Sequence, residues 1–146
     1  MFGTYFRALD NKNRVMIPSK FRHKLGEAFH ISISPDNAAE IRNDVDFQNW
    51  MSSLTKMSTL NRDARMFKRV MLGNTQEMVP DKQGRIVLQA DLLKRLSITK
   101  EIAFVGVGDK IEIWAKEAWD DFNEAYENEG SLDDLAAKLL TDGIEF

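Results

Sequence analysis

One turn sequence occurs twice, 71 residues apart, and no other feature limits the fold as strongly. Asp10-Asn11-Lys12-Asn13-Arg14 leads into Val15-Met16-Ile17-Pro18 and a basic stretch over 19–25. Asp81-Lys82-Gln83-Gly84-Arg85 leads into Ile86-Val87-Leu88-Gln89 and a similar stretch over 90–96. Asp10 aligns with Asp81, Arg14 with Arg85, Phe21 with Leu92 and Leu25 with Leu96. A period this long marks two copies of one supersecondary unit in a single chain.

Each copy reads as strand, turn, strand, short helix and hairpin. Residues 2–9 are rich in aromatic and β-branched side chains, as strands are. Asp10 suits a turn entry because its carboxylate can accept from backbone N–H groups just ahead. Asn13 and Gly84 hold the same place in the two copies, and both residue types tolerate φ > 0. Residues 14–17 are expected to return beside the first strand as a β-hairpin, which Pro18 ends for want of an N–H. Ser19 is placed to cap a helix over 20–25, with Gly26 as its stop.

Residues 29–33 alternate at period two, 35–37 turn the chain, and 39–42 complete a second hairpin. The later copy repeats this plan with a strand over 74–79, a turn over 81–85 and a strand over 85–88. A helix over 90–96 and a hairpin from 102–105 and 110–114 follow. Between the copies, Phe47, Trp50, Met51, Leu54 and Met57 fall at helical spacing, so 44–57 is an amphipathic helix covering the core. A helix over 61–72, ending at Gly73, carries Arg62, Arg65, Lys68 and Arg69. Trp119 and Phe122 repeat Phe47 and Trp50 at an offset of 72. Ser131 is placed to cap a last acidic helix through Leu139, and 142–146 are expected to fray.

Charge placement says more than its sum. The net charge is −3, yet residues 109–146 hold twelve acids against three bases, a balance of −9. Residues 1–108 therefore carry +6. Within residues 1–26 the only acid is Asp10, against Arg7, Lys12, Arg14, Lys20, Arg22 and Lys24. The basic charge sits in the repeated unit, where an anionic partner would feel it. The chain has no cysteine, which excludes disulfides and thiolate metal sites and fits a reducing compartment. No long apolar run indicates a secretory leader or a membrane span.

Catalytic constellations are absent. His23 and His30 are the only histidines and lack an i, i+4 partner. No P-loop, HExxH or nucleophile elbow occurs. Gly106-Val107-Gly108 lacks a third glycine and leads into a strand, so it reads as a hairpin turn rather than a dinucleotide site. The chain is therefore expected to have neither enzymatic activity nor a cofactor. What recurs is Asp-x-x-x-Arg. In a structural reading, Asp and Arg bond one another and the turn, an exposed pair contributing up to about 1 kcal/mol. In a recognition reading, each guanidinium forks onto phosphate oxygens or guanine O6/N7, with the ribbon in the major groove. The two readings are compatible.

The paired Asp-x-x-x-Arg turns, the Met1-Phe2-Gly3 opening, the helical linker and Glu112-Ile113-Trp114 together resemble the MraZ family over nearly the whole chain. That family comprises bacterial transcriptional regulators related to AbrB-type swapped-hairpin proteins. The resemblance implies an α+β fold: a duplicated ββαββ swapped-hairpin barrel core with linker helices and a C-terminal acidic helix. Its units would span residues 4–46 and 74–117, joined by a helical linker over 47–73 and followed by a helical tail over 118–146. It further implies a homo-oligomeric ring on double-stranded promoter DNA ahead of division and cell-wall genes, in the cytoplasm at the nucleoid. A head-to-tail ring presents the same face from each subunit, which suits direct repeats. The family's DNA surface maps here onto Asp10, Lys12, Asn13, Arg14, Asp81, Lys82, Gly84 and Arg85, with Arg7 at the strand flank. Asn13 departs from the glycine commoner at its position. A structural or antitoxin-like protein binder built on the same hairpins is the rival reading.

Overall fold

Short apolar runs, interrupted by Asp, Asn, Gly and Pro, become strands of 3–7 residues and helices of 6–14. The computed structural model describes residues 1–130 and 132–145. The strands are β1 (Phe2–Ala8), β2 (Arg14–Met16), β3 (Phe29–Ile33), β4 (Ala39–Asn43), β5 (Gln76–Met78), β6 (Arg85–Val87), β7 (Glu101–Val107) and β8 (Ile111–Ala115). The helices are α1 (Ser19–Leu25), α2 (Asp44–Thr55), α3 (Arg62–Gly73), α4 (Ala90–Arg95), α5 (Lys116–Glu129) and α6 (Leu132–Thr141). Six strands form an antiparallel sheet in the order β1-β7-β8-β4-β3-β5, and β2 and β6 form a separate two-stranded ribbon. None of the helices described is long and apolar enough to cross a membrane.

Two expectations are corrected here. The first turn does fold back, with the Asp10 N–H donating to the Arg14 carbonyl at 2.9 Å. No β1–β2 ladder follows: β1 pairs with β7, and β2 pairs with β6 of the other copy. The pairing with β6 sets Val15 directly opposite Ile86, and both are buried. The barrel is likewise not closed among the described residues, because β1 and β5 remain the two ends of the large sheet. The hairpins β3–β4 and β7–β8 do form as expected.

The duplication is visible in the backbone. Asn13 and Gly84 have φ of 59° and 80°, Gly26 and Ser97 78° and 57°, and Asn37 and Gly108 61° and 100°. Each pair is 71 residues apart, so both copies turn left-handed at the same three places. Strand pairing shares that symmetry. Val15 faces Ile86 across the ribbon, and Glu40 faces Glu112 across β4–β8. A residue facing its own repeat marks the pseudo-two-fold axis. In both copies a helix starts directly after the last hairpin strand, and its first aromatic pair has ring centroids 5.8 Å apart: Phe47–Trp50 and Trp119–Phe122.

The core lies between the ribbon, α1, α4 and the large sheet. Val15, Ile17, Phe21, Leu25, Ile86, Leu88 and Leu96 are buried from the ribbon and helix side. Ile41, Ile102, Phe104, Ile111 and Ile113 are buried from the sheet. The ring of Phe21 receives Tyr5 edge-on at 5.3 Å. Burying a side chain of this size contributes about 1.5–3 kcal/mol. Helix α2 covers a polar layer: Phe47 stacks on His30 at 3.7 Å, and Trp50 receives the Arg42 guanidinium at 4.5 Å. Arg42 also donates to Ser32 Oγ and Glu40 Oε1, each at 3.3 Å, while Lys110 pairs with Glu40 Oε2. Like charges facing across strands are unfavourable. Here Glu40 is neutralised by Arg42 and Lys110, and Glu112 accepts from Trp114 Nε1 at 3.3 Å.

Helix boundaries shift slightly from expectation. Ser19 is the first helical residue rather than the cap; Pro18 holds that place, without a side-chain bond. Proline's fixed φ suits the entry, although its side chain offers no acceptor to the free N–H groups of the first turn. Asn61 caps α3 instead of opening it, its side chain accepting from the Ala64 N–H at 3.0 Å. The cap expected at Ser131, and the end of the fraying segment at Phe146, lie outside the described residues. The chain divides into two compact units, Met1–Lys116 and Glu117–Phe146. The first contains all eight strands and both Asp-x-x-x-Arg turns. In the second, α6 exposes Leu132, Leu135, Leu139 and Leu140.

Candidate nucleic-acid interface

Each aspartate organises its own turn. Asp10 Oδ1 accepts from the backbone N–H groups of Lys12 at 2.8 Å and Arg14 at 2.9 Å. Its Oδ2 accepts from Arg14 Nε at 2.7 Å. The second turn matches: Asp81 Oδ1 accepts from Gln83 and Arg85 N–H, both at 2.9 Å, and Oδ2 from Arg85 Nε at 2.8 Å. These donors favour the charged carboxylate and lower the Asp10 pKa from 3.8 to about 2, the Arg14 backbone N–H contributing most. Asp81 is lowered for the same reason, led by the Arg85 N–H.

This geometry orients the arginines without using them up. Only Nε is held by the aspartate, so Nη1 and Nη2 of Arg14 and Arg85 have no partner among the described residues. Both side chains remain more than a quarter exposed. The ribbon register puts Arg14 opposite Val87 and Arg85 opposite Met16. Directly opposed residues share a face, and faces alternate along a strand. Arg14, Met16, Arg85 and Val87 therefore lie on one face, while Val15 and Ile86 point into the core.

The two turns also lock together. The Ile17 N–H donates to the Gly84 carbonyl at 3.0 Å, and the Leu88 N–H donates to the Asn13 carbonyl at 2.9 Å. Lys12 and Asn13 are exposed, as is Lys82, and Gly84 is half-buried. Arg7 lies on β1 rather than on the ribbon, and its Nη1 donates to the Phe6 carbonyl at 2.7 Å.

Sequence reasoning counted Arg22 only among the bases that an anionic partner would feel; the structure brings it to the second turn. Its Nε donates to the Ile17 carbonyl at 2.9 Å, and its guanidinium covers Gly84. The position 71 residues later is Leu93, so the first turn has no matching cation. Counting Lys12 and Arg14 against Asp10 leaves the first turn at +1; with Lys82, Arg85 and Arg22 against Asp81 the second stands at +2. Lys20 and Lys24 are exposed on α1 beside them in sequence.

The chain matches the family model "MraZ protein, putative antitoxin-like" twice, over residues 1–70 and 71–142. It is 39% identical over 146 residues to a protein of Mycoplasmopsis pulmonis named transcriptional regulator MraZ, covering 100% of this chain and 99% of that one. A Mycoplasma mobile protein of the same name is 38% identical over 143 residues, 98% of each chain. A Clostridium tetani protein, also so named, is 39% identical over 123 residues, 84% of this chain and 87% of its own.

Proposed function

The chain belongs to the MraZ family, and from that premise we propose that it is a transcriptional regulator gripping duplex DNA with its arginine-tipped ribbon. The observation that carries this reading is the shared face of Arg14 and Arg85, each steered by its own aspartate with neither Nη atom bonded among the described residues. A two-stranded ribbon fits the major groove, where arginine pairs with guanine O6 and N7. Lys12, Lys82 and Arg22 add phosphate contacts, Asp10 and Asp81 orient the forks, and Asn13 and Gly84 shape the turns. Arg7 contributes at the strand flank.

The finer reading follows the family. Residues 4–46 and 74–117 act as two AbrB-like swapped-hairpin units joined by 47–73, with 118–146 as a tail. The subunits close into a ring that presents many ribbons to direct repeats upstream of division and cell-wall genes, in the cytoplasm at the nucleoid. Multivalency raises affinity through effective concentration, which lets a subunit of net charge −3 hold DNA. No cofactor takes part. The test is a gel-shift titration with promoter DNA. Arg14→Ala and Arg85→Ala should each weaken binding about 5- to 150-fold, the value of a bidentate base contact. Wild-type affinity in both variants overturns the reading.

The family's antitoxin-like description supports one rival, a protein binder. Residues 117–146 carry ten acids and one base, suited to a basic partner. Deleting this segment would then abolish partner capture and leave DNA affinity unchanged.

A further inference from the structure

We propose that Val87 and Met16 read thymine methyl groups beside the bases contacted by Arg14 and Arg85. The outward ribbon face is a four-residue tile with the arginines on one diagonal and these two apolar side chains on the other. Val87 is 48% exposed although its neighbour Ile86 is 2% exposed, so its isopropyl group faces outward, away from the core. Met16, its repeat equivalent, is half-buried on the same face.

Spacing supports the assignment. Opposed Cβ atoms on a ladder lie about 4.5–5.5 Å apart, so each arginine has an apolar neighbour within reach of the adjoining base pair. Two residues along a strand span about 6.6–6.8 Å, or roughly two base-pair steps of 3.4 Å. In the major groove the apolar group on a base-pair edge is the thymine C5-methyl. The tile therefore reads guanine through its charged diagonal and thymine through its apolar one. Val87 has a stiff χ1 and a fixed shape, whereas Met16 is flexible, so the Val87 corner discriminates more sharply.

This inference rests on the DNA-binding reading, and the experiment separates their failures. Duplexes selected by the full chain from a random double-stranded pool are resynthesised with deoxyuridine at single thymidine positions. Each change deletes one methyl and keeps every Watson–Crick bond. Wild-type affinity should fall about three- to fivefold at one or two positions, the value of one buried methyl group. Val87→Ala should lose that sensitivity at one position and Met16→Ala at another. Equal binding of thymidine and deoxyuridine duplexes at every position overturns the inference, as does full sensitivity in both alanine variants. Arg14→Ala and Arg85→Ala are measured on the same duplexes. If they lose binding while deoxyuridine is silent, only the methyl reading fails; if they bind as wild type, or if wild type selects no duplex, both readings fail.

Discussion

The guanidinium of Arg22 covers Gly84 so closely that a Cβ built on the glycine would lie 2.6 Å from Arg22 Cζ and Nε. The two residues are 62 positions apart in sequence and meet because β2 crosses to β6. Glycine suits the site on two counts, its φ of 80° and the room it leaves for the movable guanidinium of Arg22. At Asn13 only the φ requirement applies, and asparagine tolerates it.

Gly84→Ala should therefore destabilise the protein by about 1–2 kcal/mol from left-handed strain alone. It should also displace Arg22 from the second turn. Asn13→Gly should change stability by less than about 0.5 kcal/mol. Urea denaturation of the two variants checks the contrast; equal losses would show that the turns are equivalent.

Acid should reach the turns through their aspartates. Asp10 has a folded pKa lowered to about 2, so its contribution to stability is complete above about pH 3.8. That contribution is lost as pH falls through about 2, because the folded state must then take up a proton it holds weakly. Asp81 acts with the same sign. Asp10→Asn should flatten this acid limb, measured as denaturation midpoints between pH 2 and pH 5. An unchanged pH slope in the variant would refute the assignment.

Arg22 should matter through phosphate rather than base sequence. Arg22→Ala should weaken DNA binding about equally for all duplexes and reduce the slope of log K against log salt by about 1. Anisotropy titrations over a range of salt concentrations measure both. Selective loss on one sequence would instead make Arg22 a base reader.

Glu40 holds two cations in a layer where it is 3% exposed. Glu40→Ala leaves Arg42 and Lys110 unpaired and should cost about 3–5 kcal/mol. Removing the second cation as well, in Glu40→Ala with Lys110→Met, should recover part of that loss. Thermal or chemical unfolding reads both variants, and a cost below about 1 kcal/mol for Glu40→Ala would show that water already screens the network.

Much of this arrangement is legible in the sequence. Asp10 and Asp81 announced their turns because an aspartate accepts from N–H groups two and four residues ahead, a purely local bond pattern. The positive φ of Asn13 and Gly84 followed from residue type alone. The hairpins β3–β4 and β7–β8 were legible because their alternation and turns are continuous in sequence. The first hairpin was misread: local turn chemistry is the same whether the returning strand pairs with β1 or leaves for β6. Arg22 over Gly84 was hidden for the same reason, as was the layer in which Glu40 and Arg42 of β4 meet Lys110 ahead of β8.

Residue order by itself settled the repeat, the left-handed corner at Asn13 and Gly84, and the separation of basic from acidic charge, and it offered the carboxylate-held arginines as one of two compatible readings. These depend on interactions a few residues long, or on counting. Tertiary structure alone decided which strand each short strand would join. Two near-copies offer equivalent hydrogen-bonding edges. The choice falls to the pairing that buries Val15 against Ile86 and leaves both guanidinium groups on one face.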